Sequence, residues 1–124
     1  MAKKKILVVD DEPQIVQVIQ ISLEYCGYEV ITAFSGNQAI SKARSEKPDL
    51  VLLDVKMPVE SGIGVFEILR SISNTSLIPV IFITASANEE VKEKVLGMGA
   101  QDFIYKPFNK NDLLAKVKNA LGES

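Results

Sequence analysis

Four stretches of this chain are almost wholly apolar and very short: Ile6-Leu7-Val8-Val9, Leu50-Val51-Leu52-Leu53, Val80-Ile81-Phe82-Ile83 and Phe103-Ile104-Tyr105. The first two are too short for a helix and too apolar for a solvated edge strand, so they read as strands covered on both faces; the third is of the same kind, and the short last one could sit at an edge of the sheet. Helical patterns fill the intervals. The first takes Pro13 in its first turn, carries Ile15, Val16, Ile19 and Leu23 on one face, and stops at Gly27. A second strand, residues 28–33, alternates more than the others and suits a less buried position. Ser35-Gly36-Asn37-Gln38 then reads as a capping box opening a helix that ends before Pro48. A loop, residues 55–61, leads to a helix from about Gly62 with Val65, Phe66, Leu69 and Ile72 as its core stripe. Ser86-Ala87-Asn88-Glu89 is another capping box, opening a helix with Val91 and Val95 that terminates around Gly97-Met98-Gly99. Asn109 caps a last helix facing inward through Leu113, Leu114, Val117 and Leu121. Five strands alternating with five helices predict a doubly wound α/β fold, a five-stranded parallel sheet with helices on both faces.

Composition narrows the function. The 124 residues fit a single domain, 1–124, and 47% hydrophobic content suffices for its core. A net charge of −2 argues against direct nucleic-acid binding, and Lys3-Lys4-Lys5 reads as a solvated lead-in to the first strand. No apolar run is long enough for a signal sequence or membrane insertion, so a cytoplasmic location is expected. Cys26 is the lone cysteine and follows an apolar helical face, where a buried structural thiol is expected. With no histidine, Ser-His-Asp and Cys-His catalysis and histidine-ligated metals are excluded.

The strand ends carry the chemistry. Asp10 and Asp11 follow the first apolar run, Asp54 the third strand, Thr84 the fourth and Lys106 the fifth. In a parallel sheet, ligands are found in the crevice beyond the carboxyl ends of the strands. Asp11 could instead cap the first helix, whereas Asp10 and Asp54 have no comparable local partner. Adjacent carboxylates repel unless a cation compensates. Hard oxygen donors point to Mg²⁺, with Mn²⁺ as a substitute. A carboxylate can also act as a nucleophile and form an aspartyl phosphate, given a metal, a fixed cation and a hydrogen-bond donor. Asp54, the Asp10-Asp11 pair, Lys106 and Thr84 supply those parts.

Through Val8-Val9-Asp10-Asp11-Glu12, Leu53-Asp54-Val55-Lys56-Met57-Pro58 with Gly62, Ile83-Thr84-Ala85, and Gly99-Ala100 on to Phe103 and Lys106-Pro107-Phe108, the chain resembles a receiver domain of the bacterial two-component response-regulator family. The resemblance spans essentially the whole chain and implies strand order 2-1-3-4-5. It implies that Asp54 is the phosphoacceptor, supplied by a sensor histidine kinase or a histidine phosphotransfer protein. Asp11, Asp54 and the carbonyl of Lys56 would then ligate Mg²⁺, with Asp10 acting through water. Lys106, joined to Pro107 by a cis bond, would pair with the acyl phosphate, and Thr84 would bond a phosphoryl oxygen. Phe103 would be the switch aromatic that turns inward, where tyrosine is common in the family; the other reading of Phe103 is a permanently buried core side chain. Tyr105, of the same parity along the strand, could instead be the exposed aromatic. Lys56 and Ser86 occupy positions that modulate attack by water on the phosphate. The surface of the fourth helix, last strand and last helix would address a downstream protein target or an effector domain, with a phosphorylation-dependent homodimer as one form of output.

Two rivals are weighed against this reading. A haloacid-dehalogenase-type phosphatase wants a second carboxylate two residues after the nucleophile, where Lys56 stands. A receiver-like interaction module that signals without phosphorylation need not keep these site residues. The expectation is a signalling domain that catalyses only its own phosphorylation and dephosphorylation, working alone or as the receiver of a longer regulator.

Overall fold

The computed structural model describes residues 3–57, 61–85 and 89–123. Strands and helices alternate as β1 (Lys5–Val9), α1 (Pro13–Tyr25), β2 (Glu29–Ala33), α2 (Gly36–Glu46), β3 (Leu50–Asp54), α3 (Gly62–Ser71), β4 (Val80–Thr84), α4 (Glu89–Gly97), β5 (Asp102–Tyr105) and α5 (Lys110–Ala120). The sheet is parallel throughout, in the order β2-β1-β3-β4-β5. The alternating strand is therefore an edge, and the short last strand is the other.

The aliphatic runs are explained by burial on both faces. Along each strand successive side chains point to opposite sides. Leu7, Val9, Val51, Leu53, Phe82 and Phe103 pack beneath α2, α3 and α4, while Ile6, Val8, Leu50, Leu52, Ile81 and Ile104 pack beneath α1 and α5. Every residue of β3 and β4 is buried. Each such aliphatic side chain contributes about 1.5–3 kcal/mol on burial, so the central strands anchor whatever stands at their ends.

Local chemistry sets the helix boundaries. Ser35 Oγ accepts from the Gln38 amide at 3.2 Å, and Gln38 Oε1 accepts from the Phe34 amide at 3.0 Å. Asn109 Oδ1 accepts from the Asp112 amide at 2.8 Å. Ser61 Oγ caps α3 through the Gly64 amide at 3.1 Å. Gly27, with φ of +94°, takes the chain out of α1.

Some expectations are corrected. Ile72 is not part of the α3 stripe: the helix stops at Ser71, and Ile72 is its C-cap in an extended conformation. There Thr75, 1% exposed, donates its hydroxyl to the Leu69 carbonyl at 2.6 Å and competes with further helical bonding. Cys26 is exposed, because the apolar face of α1 ends at Leu23 and Cys26 is the C-cap beyond it. Lys5 is not merely a lead-in, since it opens β1 and pairs with Glu46 at 3.1 Å and Glu29 at 4.0 Å. Pro58 and the capping box at Ser86-Ala87-Asn88, including the position of Ser86, lie outside the described residues.

Candidate functional site

The strand order reverses between β1 and β3, because the chain runs from β1 outward to β2 and then returns to the far side of β1. Connections leaving neighbouring strands in opposite directions open a crevice at their carboxyl ends. Asp10, one residue past β1, and Asp54, the last residue of β3, flank it; they are 2% and 4% exposed.

Lys106 arrives from the far edge. Its amide donates to the Thr84 carbonyl at 2.7 Å, continuing the β4–β5 ladder, and its bond to Pro107 is cis. Its Nζ lies 2.7 Å from Asp10 Oδ2, 3.3 Å from Glu12 Oε1 and 3.7 Å from Asp54 Oδ2. Thr84, 1% exposed, closes β4 one residue beyond the partner of Asp54 in the ladder. These groups meet around a cleft of about 240 Å³ lined by Asp11, Glu12, Asp54, Lys56, Thr84, Ala85 and Lys106. Asp10 stands behind the cleft, holding Lys106.

The start of α3 supports the acid from below. The Gly62 amide donates to the Val55 carbonyl at 2.7 Å, and a Cβ at Gly62 would lie 2.0 Å from the Asp54 carbonyl oxygen. Only glycine permits that approach.

Asp10 and Asp54 also have local partners, contrary to expectation. Asp10 Oδ1 accepts from the Glu12 amide at 3.0 Å, and Asp54 Oδ1 from the Lys56 amide at 3.2 Å. Both are Asx-type turns that fix the carboxylates as the chain leaves the strands. The cap role considered for Asp11 is not filled by it: Glu12 is the N-cap of α1 and makes no side-chain cap bond.

Negative charge outweighs positive here. Burial, then the neighbouring Asp10 carboxylate, push the Asp54 carboxyl up to about 6, against the lowering influence of Lys106 and the Lys56 amide. Burial alone would lower the Lys106 ammonium, but the hydrogen bond and charge of Asp10, then the charges around it, outweigh burial and leave its pKa raised. Lys106 is therefore a permanent cation. Asp10, Asp11 and Glu12 each offer a carboxylate oxygen, all within 4.8 Å of one another. An excess of hard oxygen donors beside a carboxyl whose ionisation is penalised suits a divalent cation such as Mg²⁺.

The residues singled out from the sequence thus converge, with one exception. Phe103 is 2% exposed and belongs to the core under α2, α3 and α4, with its ring 5.1 Å from that of Tyr105. Sequence reasoning missed Glu12. It stood in the sequence only as the last acid of the motif at residues 8–12 with no role assigned, since its contact with Lys106 spans 94 positions.

Comparison with known proteins agrees with this geometry. The family model of the response regulator receiver domain matches residues 6–118. The chain is 46% identical over 123 residues to the alkaline phosphatase synthesis transcriptional regulatory protein PhoP of Bacillus subtilis, covering 98% of this chain and 50% of that protein. It spans about half the length of the curated relatives it matches. Among solved structures, the Vibrio cholerae chemotaxis protein CheY4 superposes with a TM-score of 0.91 at 34% identity, covering 97% of this chain and all of that one (100%). The receiver domain of the sensor histidine kinase PA1611 of Pseudomonas aeruginosa, which holds a magnesium ion in its active site cleft, does so with a TM-score of 0.89 at 31% identity, covering 98% of this chain and 100% of that one. No helix among the described residues is long and apolar enough to cross a membrane.

Proposed function

Because the chain belongs to the response regulator receiver domain family, whose members act in two-component signalling, we propose that it is a Mg²⁺-dependent switch phosphorylated on Asp54. The observation that carries this reading is the position of Lys106 Nζ, 2.7 Å from Asp10 and 3.7 Å from Asp54 at the mouth of a cleft that also contains Thr84.

The donor is a phosphohistidine on a sensor kinase or a histidine phosphotransfer protein. An Asp54 carboxylate oxygen attacks phosphorus, the P–N bond breaks as the new P–O bond forms, and imidazole leaves. Attack needs the ionised carboxylate, so at neutral pH a carboxyl held at about 6 is mostly ready. Asp11, Asp54 and the Lys56 carbonyl would hold Mg²⁺, with Asp10 and Glu12 close enough to act through water; the ion, when bound, neutralises phosphoryl oxygens. Lys106 supplies a further, fixed positive charge, and the Thr84 hydroxyl can donate to a phosphoryl oxygen.

The phosphoryl group adds about −1.5 to −2 charge and three strong acceptors. Lys106 and Thr84 are drawn to it, and β5 and α4 move with them. On this reading the domain turns over no separate metabolite, and attack of water on the acyl phosphate resets it. The output is a changed surface on α4, β5 and α5 that addresses a downstream protein, a further domain or a second copy of the chain, in the cytoplasm.

The test is the intact mass after incubation with acetyl phosphate, with Mg²⁺ or with EDTA, for the native chain and Asp54→Asn. An increment of one phosphoryl group that requires both Mg²⁺ and Asp54 is expected. An increment that survives in Asp54→Asn refutes the assignment.

A further inference from the structure

The aromatic that the family resemblance assigns to the switch, Phe103, is buried and has no hydroxyl to offer α4. Two residues on, Tyr105 has one. Its hydroxyl donates to Glu89 Oε1 at 3.4 Å, its ring meets Phe103 edge-on at 5.1 Å, and Lys92 Nζ stands 5.9 Å from the ring centroid. Glu89 and Lys92 form part of the first turn of α4.

The other side of Tyr105 is the cleft. Tyr105 is the partner of Thr84 in the β4–β5 ladder, and the next residue, Lys106, donates its amide to the Thr84 carbonyl. One residue is thus joined through its backbone to the two groups that would grip a phosphoryl group, and through its side chain to the start of a helix. That helix is lightly held. Val95 is the only buried side chain of α4, against Val16, Ile19 and Leu23 in α1 and Val65, Phe66 and Leu69 in α3. Val91 in the first turn adds a partly buried contact with the core, so the ties to Tyr105 supplement a small apolar anchor, and weakly anchored elements are the ones that move.

We infer that Tyr105 is a positioning residue that couples the acidic cleft to α4, its hydroxyl and ring holding Glu89 and Lys92 against β5 until Thr84 and Lys106 shift. This rests on the phosphorylation of Asp54 proposed above and assigns its readout to a residue that the Phe103 rotation leaves out. A single ordinary hydrogen bond changes such an equilibrium by about two- to tenfold, enough to be seen as a population shift.

The experiment is ¹H–¹⁵N NMR of the 124-residue chain with Mg²⁺, before and after loading with beryllofluoride, for the native protein, Tyr105→Phe and Glu89→Ala. Tyr105→Phe keeps the ring and removes only the hydroxyl. In the native chain, loading is expected to displace the amides of Thr84 and Lys106 and those of the first turn of α4. In both variants, and in a Tyr105→Phe/Glu89→Ala double variant made alongside them, the displacement at Thr84 and Lys106 is retained while that in α4 is reduced about two- to tenfold, and by no more in the double variant than in either single one. If α4 responds to loading in the variants as in the native chain, Tyr105 is merely structural and the inference falls alone. If beryllofluoride displaces nothing around Asp54 in the native chain, the phosphorylation reading falls and this inference with it.

Discussion

Replacing Asp54 by asparagine should make the protein more stable in the absence of divalent cations, although it removes the proposed nucleophile. The Asp54 carboxyl is 4% exposed and is pushed from 3.8 up to about 6, first by burial and then by Asp10. At about 1.4 kcal/mol for each pH unit, holding it ionised above pH 6 costs the folded state about 3 kcal/mol. Asparagine keeps an oxygen for the Lys56 amide and removes the charge. It also weakens the 3.7 Å pairing with Lys106, which returns part of the gain. A net stabilisation of about 2 kcal/mol remains, a rise in melting temperature of roughly 5–10 °C for a domain of this size.

The pH dependence gives the idea its sharpest test. For a carboxyl whose folded pKa is raised, the penalty is absent below the unfolded value, grows between 3.8 and about 6, and is complete above that. The stability difference between Asp54→Asn and the native chain should therefore be full near neutral pH and shrink as pH falls through that window. Thermal unfolding followed by circular dichroism in EDTA across the pH range measures it. A variant no more stable than the native chain at neutral pH, or a gain that does not fade on acidification, would refute the charge argument.

Other expectations follow from neighbouring residues. A ligand bound by the folded state stabilises by mass action, so Mg²⁺ should raise the melting temperature of the native chain, and Asp11→Ala should abolish that increment in the same assay. Gly62→Ala would place a methyl group 2.0 Å from the Asp54 carbonyl oxygen; a loss of at least about 2 kcal/mol in urea unfolding is expected, and near-native stability would show that α3 can shift freely. Phe103→Ala should cost about 3–5 kcal/mol, because the ring is 2% exposed and the hole it leaves is lined by the core; a much smaller loss in the urea midpoint would mean that the ring spends much of its time outside.

The placement of elements was legible in the amino-acid sequence because it depends on short-range periodicity. Strands buried on both faces must be aliphatic throughout, caps must carry Ser35 or Asn109 at a fixed offset, and a chain leaving a central strand exposes its first polar residue at the crevice. Asp10, Asp54, Thr84 and Lys106 could therefore be located before any coordinates. Even there, the periodicity misplaced the end of α3 at Ile72, because it does not register the Thr75 hydroxyl that competes for the last carbonyls. It also assigned Cys26 to a face that had already ended. What only the tertiary structure decided are contacts between residues far apart in the chain: Lys106 shared among Asp10, Glu12 and Asp54, Gly62 against the Asp54 backbone, and Tyr105 against Glu89. Phe103 and Tyr105 have the same parity on one strand and identical local signals. One is sealed under the helices and the other reaches the first turn of α4, because the sheet places Tyr105 at the strand end beside Thr84, where the core gives way to the cleft.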